Sequence, residues 1–247
     1  MNDINKSSEL ETMRHSASHV MAEAVQAMFP DAKFAIGPAI EDGFYYDFDL
    51  PRSLTPDDLP VIEQKMKEII KANLPFNHKE ISKDEAKVLF ASQPYKLELI
   101  EELPDDKVGI YTQGNFTDLC RGPHVRYTSQ VKAFKLMSIA GAYWRGDEHN
   151  TMLQRVYGLA FKTQKDLDDY IVYLEEIKKR DHRKIGKDLD LFVFSELVGK
   201  GLPLFTEKGS IIRRELERFV VDEELKRGYK HVYTPDLALV ALYKKSG

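Results

Sequence analysis

Two pairs of residues carry side chains that could act together in hydrolysis or in metal binding. His15 and His19 are four positions apart in a predicted helix, so both imidazoles lie on one face, one turn apart. Cys120 and His124 flank a Gly-Pro dipeptide, which predicts a loop. Two nitrogens from a helix, with a sulfur and a nitrogen from a loop, could bind tetrahedral zinc. The same groups could equally line a hydrolytic pocket that contains no metal.

Each pair taken alone has a simpler explanation. A histidine pair on an apolar helix is commonly part of the core, and a free cysteine is usually a small buried apolar residue. We interpret the pairs as a site because each lies in a longer motif. These motifs are RHSASH at residues 14–19 and DLCRGPH at residues 118–124.

Composition limits the class of protein. The 247 residues allow one large domain or two, and an apolar content of 43% indicates a globular chain. The formal net charge of −4 indicates no overall attraction to nucleic acid, although a local basic patch could exist. A single cysteine excludes an intramolecular disulfide and suits a reducing compartment. With no membrane-length apolar run and no signal sequence, we expect a cytoplasmic protein without a membrane partner.

The residue pattern predicts mixed helices and antiparallel strands, an α+β fold, over residues 1–162. Ser8 and Glu11 form a candidate capping box for a helix that ends before Pro30. Asp42-Gly43 is expected to supply a positive φ in a hairpin turn. In the strand that follows, alternation puts Phe44, Tyr46 and Phe48 on one face. Asp118 and Cys120 are expected in one loop.

The second part of the chain is more helical and more charged. A single helix is predicted over 164–187, and an amphipathic helix over 207–227. A glycine turn and a strand that ends at Pro235 are expected to follow.

At several of these segments the sequence resembles bacterial threonyl-tRNA synthetases. Besides the two His/Cys motifs, the matching segments are IGP (36–38), GFYYD (43–47), GAYWRGD (141–147), LQRVYG (153–158) and KRDHRKIG (179–186). The first His/Cys motif is shared with alanyl-tRNA synthetase editing domains, whereas the 179–186 segment favours the threonyl family.

The resemblance implies three regions. Residues 1–162 would be an antiparallel-sheet editing domain that hydrolyses serine wrongly attached to tRNA(Thr). Residues 163–187 would be a linker helix. Residues 188–247 would open the class II antiparallel α/β catalytic domain, including motif 1, through which the family forms homodimers. Motifs 2 and 3 would follow later, so ATP, Mg²⁺ and the catalytic-site zinc of the full-length ligase are not expected to act in this chain.

The resemblance also implies the site residues, and the chemistry of ester hydrolysis suggests their roles. His15 and Lys96 would hold the attacking water and the ribose hydroxyl, and Lys96 could also stabilise the oxyanion. Asp118 would bind the substrate ammonium. The remaining members are Tyr46 and His124, which would orient the seryl group, together with His19 and Cys120. Outside its motif context, Lys96 would be an ordinary surface lysine.

Two alternatives remain open. Alanyl-type relatives use the quartet His15, His19, Cys120 and His124 for zinc, and such a zinc-dependent hydrolase is the first. We favour a pocket without a metal or other cofactor, because Lys96 and Asp118 supply charge. The second alternative is a non-catalytic fragment that binds RNA or dimerises.

Overall fold

The computed structural model describes residues 9–246, and the cap predicted at Ser8 lies outside them. The helices are α1 (Glu9–Met28), α2 (Asp58–Lys71), α3 (Lys83–Leu89), α4 (Pro94–Glu102), α5 (Gln164–Lys179), α6 (His182–Asp188), α7 (Glu207–Lys226) and α8 (Val240–Ser246). The strands are β1 (Lys33–Phe34), β2 (Ala39–Ile40), β3 (Gly43–Asp49), β4 (Asn77–Ser82), β5 (Lys107–Gln113), β6 (Phe116–Leu119), β7 (Ala133–Tyr143), β8 (Met152–Phe161), β9 (Phe192–Val193) and β10 (Leu204–Phe205). The chain forms two compact units, which divide between Val172 and Tyr173.

The larger sheet of the first unit supports α1. Its strands are antiparallel in the order β1-β3-β8-β7, and β2 also pairs with β3. Phe44, Tyr46 and Phe48 are all fully buried and share one apolar core with the inner face of α1. The predicted alternation is therefore confirmed. Burial of these large side chains, at about 25 cal/mol per Å² of apolar surface, holds α1 against the sheet.

A second antiparallel sheet, in the order β4-β5-β6, packs against α3 and α4. Ser82 forms a reciprocal capping box with Glu85 and begins α3. Asp118 lies in β6, opposite Tyr111 of β5, and not in a loop with Cys120 as the sequence predicted. The strand continues through this charged residue because Asp118 finds polar partners, which are described below.

The hairpin between β2 and β3 corrects another expectation. Ile40 pairs with Gly43, so the turn residues are Glu41 and Asp42, and neither Asp42 nor Gly43 has a positive φ. A Cβ atom at Gly43 would lie 1.9 Å from the carbonyl oxygen of Gly158. Glycine is needed here because β3 and β8 approach closely, and not because of turn geometry.

The later part of the chain differs from expectation at two places. The predicted helix over 164–187 is two helices, because the Asp181 side chain accepts a hydrogen bond from the Arg183 N–H and begins α6. The strand predicted to end at Pro235 is not formed. Among residues 9–246 no other strand lies beside it to take its backbone hydrogen bonds. The helix predicted over 207–227 is confirmed as α7. Across the same described residues, no helix combines the length and apolar character that a membrane span requires.

Candidate functional site

The structure brings the two His/Cys pairs together between α1 and the loop that follows β6. Each of the four side chains offers one donor atom, and all four atoms lie within 4.8 Å of one another. Cys120 Sγ lies 3.4 Å from Nε2 of His15 and 3.3 Å from Nε2 of His124. We call these residues the donor quartet: His15, His19, Cys120 and His124.

Gly122 shapes the loop that carries two members of the donor quartet. Its φ of +70° lies in the left-handed region, and a Cβ atom there would be 2.4 Å from Oη of Tyr111. The Gly122 N–H points back and donates to Cys120 Sγ over 3.2 Å. The Gly-Pro dipeptide identified in the sequence therefore positions the sulfur as well as turning the chain.

Ser16 is a residue that sequence reasoning missed. It is fully buried, and its hydroxyl donates to the Thr12 carbonyl (2.8 Å) while accepting the Val125 N–H (3.0 Å). His124 Nδ1 lies 3.0 Å from the same oxygen. With the Ser16 proton used by Thr12, His124 Nδ1 must donate, which leaves Nε2 as an acceptor facing Cys120. Its place inside the RHSASH motif was the one sequence feature that could have identified Ser16 as part of the site.

Two aromatic rings pack against the imidazole of His124. The ring of Phe76 stacks on that of His124, with centroids 4.9 Å apart and planes 5° apart. Tyr111 contacts the His124 ring edge-on at 4.5 Å. His124 is therefore held in one orientation by packing as well as by hydrogen bonding.

A second group of polar side chains lies beside the donor quartet, and we call it the buried triad: Tyr46, Lys96 and Asp118. Lys96 Nζ forms an ion pair with Asp118 Oδ1, and both side chains are only 3% exposed. Tyr46 donates its hydroxyl to Asp118 Oδ2 over 2.6 Å and accepts from Lys96 Nζ over 3.2 Å. Lys96 is thus a buried residue and not a surface lysine.

One contact joins the two groups. His19 Nε2 lies 3.6 Å from Asp118 Oδ2, and its side chain is 2% exposed. Asp118 Oδ1 touches Lys96 but makes no well-aligned hydrogen bond, so the ion pair is chiefly a charge contact. The role of Asp118 in binding a substrate ammonium stays a prediction, since in this structure its oxygens face Lys96 and Tyr46.

Burial sets the protonation of the donor quartet. It lowers the pKa of His15, and it lowers the pKa values of His19 and His124 well below their usual range. Burial also raises the pKa of the Cys120 thiol to about 12. Near neutral pH the quartet therefore consists of three neutral imidazoles and a thiol, which is a weak nucleophile in that form.

Three cavities border the site. A cleft of about 230 Å³ opens onto His15 beside Gly122 and Pro123. A cavity of about 180 Å³ reaches Lys96 and Asp118. The largest, about 570 Å³, borders the site only through Cys120. Of the catalytic candidates, His15 is thus the one reached from the first cleft.

Comparisons with known proteins show which proteins the chain resembles. The model of the threonyl and alanyl tRNA synthetase second additional domain matches residues 108–157. A threonine–tRNA ligase of Dehalococcoides mccartyi is 62% identical over 240 residues, 97% of this chain and 41% of the relative. Similar enzymes of Staphylococcus carnosus and Staphylococcus aureus are 56% and 55% identical over 96% of the chain and 37% of their own length. Over nearly its whole length the chain is therefore similar to part of a threonine–tRNA ligase.

The chain spans about two fifths of the length of these ligases. The matched domain segment, 108–157, includes Asp118, Cys120 and His124. His15 and Lys96 lie before that segment, and it is the fold that brings α1 and α4 to it.

Because relatives of the alanyl type suggested zinc, we tested whether the donor quartet fits that ion. The set of three imidazoles and one thiol is a usual zinc environment, and the Cys120 distances are near the edge of a zinc tetrahedron. His19 Nδ1 is buried without a hydrogen-bond partner among the described residues. The quartet therefore fits zinc. Four protein ligands would, however, close the coordination shell, which is typical of structural rather than catalytic zinc.

Proposed function

We propose that this chain hydrolyses the ester between serine and tRNA(Thr), as the editing part of a threonine–tRNA ligase. The observation that carries the proposal is that the buried Lys96–Asp118 pair meets the donor quartet through His19, while His15 of that quartet is open to a cleft. The ester lies at the end of the charged tRNA, and the pocket distinguishes serine from threonine.

Such an activity is needed because binding alone distinguishes threonine from serine only weakly. Threonine exceeds serine by one methyl group, and a pocket distinguishes a missing methyl by only ~1–3 kcal/mol. A ligase that selects threonine therefore attaches some serine, and a second site that destroys the wrong product supplies the remaining accuracy. Steric exclusion of threonine's methyl from that second site protects the correct product.

In the proposed reaction a water oxygen attacks the ester carbonyl, the bond to the ribose oxygen breaks, and that oxygen takes a proton. The products are serine and tRNA with a free terminal hydroxyl. His15, neutral and reached from a cleft, and Lys96 hold the water and the ribose hydroxyl. Lys96 also stabilises the charge that develops on the carbonyl oxygen.

The other residues bind the substrate and shape the pocket. Tyr46 and His124 orient the seryl group, and Asp118 holds Lys96 and attracts the substrate ammonium. Cys120 either measures side-chain size or acts as a weak donor. Burial raises the pKa of its thiol to about 12, so little nucleophilic thiolate forms at neutral pH, which supports attack by water rather than by sulfur.

Zinc-dependent hydrolysis is the second candidate, and the 4.8 Å grouping of the donor quartet favours it. His15, His19, Cys120 and His124 would hold the ion, and it would polarise the ester carbonyl if one of these ligands left or a fifth position opened. Elemental analysis of protein purified without chelator measures whether zinc is bound. For the first candidate we propose no cofactor.

The second unit supports a different part of the proposal, namely homodimer formation in the full-length enzyme. Its α7 helix carries several half-exposed apolar residues: Ile211, Leu216, Phe219, Val220 and Leu225. Exposed apolar residues grouped on one helix are typical of an interaction surface. ATP, Mg²⁺ and the ligase zinc remain proposals for the full-length enzyme alone.

Deacylation assays test the function. We expect hydrolysis of Ser-tRNA(Thr), slow hydrolysis of Thr-tRNA(Thr), and no threonine-dependent exchange between ATP and pyrophosphate. Equal loss of both esters would indicate a nonspecific esterase. Exchange activity would contradict the hydrolase-only role, and binding of tRNA without any hydrolysis would indicate the non-catalytic alternative.

A further inference from the structure

The GAYWRGD segment at residues 141–147 is a motif that the proposed reaction leaves unused. It ends β7 and forms a short turn before β8. Arg145 adopts φ 59° and ψ 17° in this turn, a left-handed conformation that is uncommon for a residue with a Cβ atom. Such a conformation persists only where its surroundings hold it, so the turn must have firm contacts.

Those contacts are with α4, the helix that carries Lys96. The Trp144 indole N–H donates to Glu98 Oε2 over 2.8 Å. The Arg145 guanidinium pairs with Glu102 and lies 3.6 Å from the same Glu98 oxygen. The ion pairs are exposed and contribute little by themselves. Trp144 is 6% exposed, so the donor of this hydrogen bond is buried, whereas the accepting Glu98 side chain is 50% exposed.

Ring packing extends the contact to the neighbour of Lys96. The rings of Trp144 and Tyr95 meet edge-on with centroids 5.1 Å apart, and the Tyr95 hydroxyl donates to Asp49 over 2.9 Å. Tyr95, Glu98 and Glu102 recur at helical spacing and share one face of α4. Lys96 is the next residue after Tyr95, about 100° further around the helix.

Together with Ile100, which packs into the core of the second sheet, this contact face fixes the rotation of α4 about its axis, and that rotation sets where Lys96 Nζ stands. We propose that Trp144 is a positioning residue, which acts through Glu98 and Tyr95 to hold Lys96 against Asp118 and Tyr46. The inference rests on the proposed function, because it assigns Lys96 its place in that reaction. A misplacement of about 1 Å at a catalytic group can lower a rate by about 100-fold.

Substitutions at Glu98 separate positioning from a general effect on the fold. Glu98→Gln keeps a side-chain oxygen for the indole N–H, whereas Glu98→Leu removes the acceptor. Glu101→Leu is the matched control, since Glu101 lies on the same helix, is exposed, and pairs with Lys87 rather than with the turn. Trp144→Phe keeps a ring against Tyr95 but removes the N–H.

With the full 247-residue chain and Ser-tRNA(Thr), Glu98→Leu and Trp144→Phe should lower kcat by about tenfold to 100-fold with KM unchanged. Glu98→Gln should restore most of the rate, and Glu101→Leu should match the wild type. Equal rates for Glu98→Leu and Glu101→Leu would overturn the proposal. Equal loss in Glu98→Leu and Glu98→Gln would also overturn it.

A second measurement does not depend on catalysis. Acetic anhydride acetylates accessible lysine amines, and peptide mass spectrometry reports the rate at Lys96. We expect slow labelling in the wild type and in Glu101→Leu, and labelling at least about tenfold faster in Glu98→Leu and Trp144→Phe. If wild-type protein fails to hydrolyse the ester but this labelling pattern appears, the function is wrong and the positioning stands. Unchanged labelling across all variants contradicts the positioning.

Discussion

The buried triad and the donor quartet are adjacent, yet they are held in opposite ways. In the triad, Lys96 and Asp118 are charged partners that Tyr46 bridges, and both charges are 3% exposed. In the quartet, burial keeps three imidazoles and a thiol neutral, and His15 remains reachable from a cleft. From this difference we expect the triad to stabilise the site and supply its charge, and the quartet to supply neutral donor atoms for the proposed chemistry.

This difference predicts that substitutions in the triad and in the quartet impair the protein in different ways. A triad substitution leaves a buried charge without its partner, so stability and hydrolysis fall together. A quartet substitution at the open cleft removes a reacting group with little effect on folding.

Lys96→Met should be the most damaging single change. It leaves the Asp118 carboxylate buried and unpaired, which costs about 3–5 kcal/mol of unfolding free energy. Hydrolysis of Ser-tRNA(Thr) should be lost as well. Urea unfolding gives the stability, and deacylation gives the rate.

The control for this prediction is Lys96→Met combined with Asp118→Asn. The asparagine oxygen still accepts from Tyr46, so the double variant should recover part of the lost stability without recovering activity. Equal stability of the single variant and the wild type would show that the ion pair does not hold the site together.

His15→Gln should separate activity from stability. Removal of a positioned base or water-binding group lowers hydrolysis by about 10²–10⁴-fold. The partly exposed position should keep the thermal midpoint close to that of the wild type. His78→Gln is the matched control, because His78 is exposed on β4 and stacks on Tyr111 outside the quartet. Wild-type turnover by His15→Gln would remove His15 from the mechanism.

Gly122→Ala tests how the quartet depends on its loop. The left-handed backbone alone costs about 1–2 kcal/mol with alanine, and the added methyl group also meets Tyr111. Hydrolysis should fall because Cys120 and His124 shift together. Gly201→Ala is a control with a comparable φ of +81° and no atom within 4 Å of the added methyl group. Matching activities of the two variants would show that the contact with Tyr111 is unimportant.

Cys120→Ser should have the smallest effect. Because water rather than sulfur is proposed to attack, hydrolysis should fall by less than about tenfold. Mass spectrometry of the quenched wild-type reaction should show no serine attached to the protein. Complete loss of activity together with a seryl adduct on the wild-type sulfur would identify Cys120 as the nucleophile.

The sequence predicted most of the elements because their signals are local. The apolar alternation of β3 and the helical pattern of α7 both depend on neighbouring residues, and the structure agrees with each. The quartet could be proposed because each half lies within one short motif. The break at Asp181 was missed because its cap competes with a strong helical pattern on both sides.

Long-range contacts account for the rest. No local pattern shows that Lys96 is buried, since its partner lies 22 positions later on another strand. The Ser16 hydroxyl hydrogen-bonds to a histidine 108 positions away. Glycine is needed at position 43 because a strand more than 100 residues later lies close to it. The strand predicted to end at Pro235 failed for a related reason, because a strand needs a neighbour that its own residues cannot specify.

The most direct test is single-turnover hydrolysis of Ser-tRNA(Thr) by protein from which all metal has been removed. The chain should be stripped with EDTA, exchanged into metal-free buffer, checked by elemental analysis, and assayed beside His15→Gln. We expect the stripped wild type to retain its full rate and His15→Gln to lose at least about 100-fold. A stripped protein that is inactive and recovers on addition of stoichiometric Zn²⁺ would contradict the metal-free account.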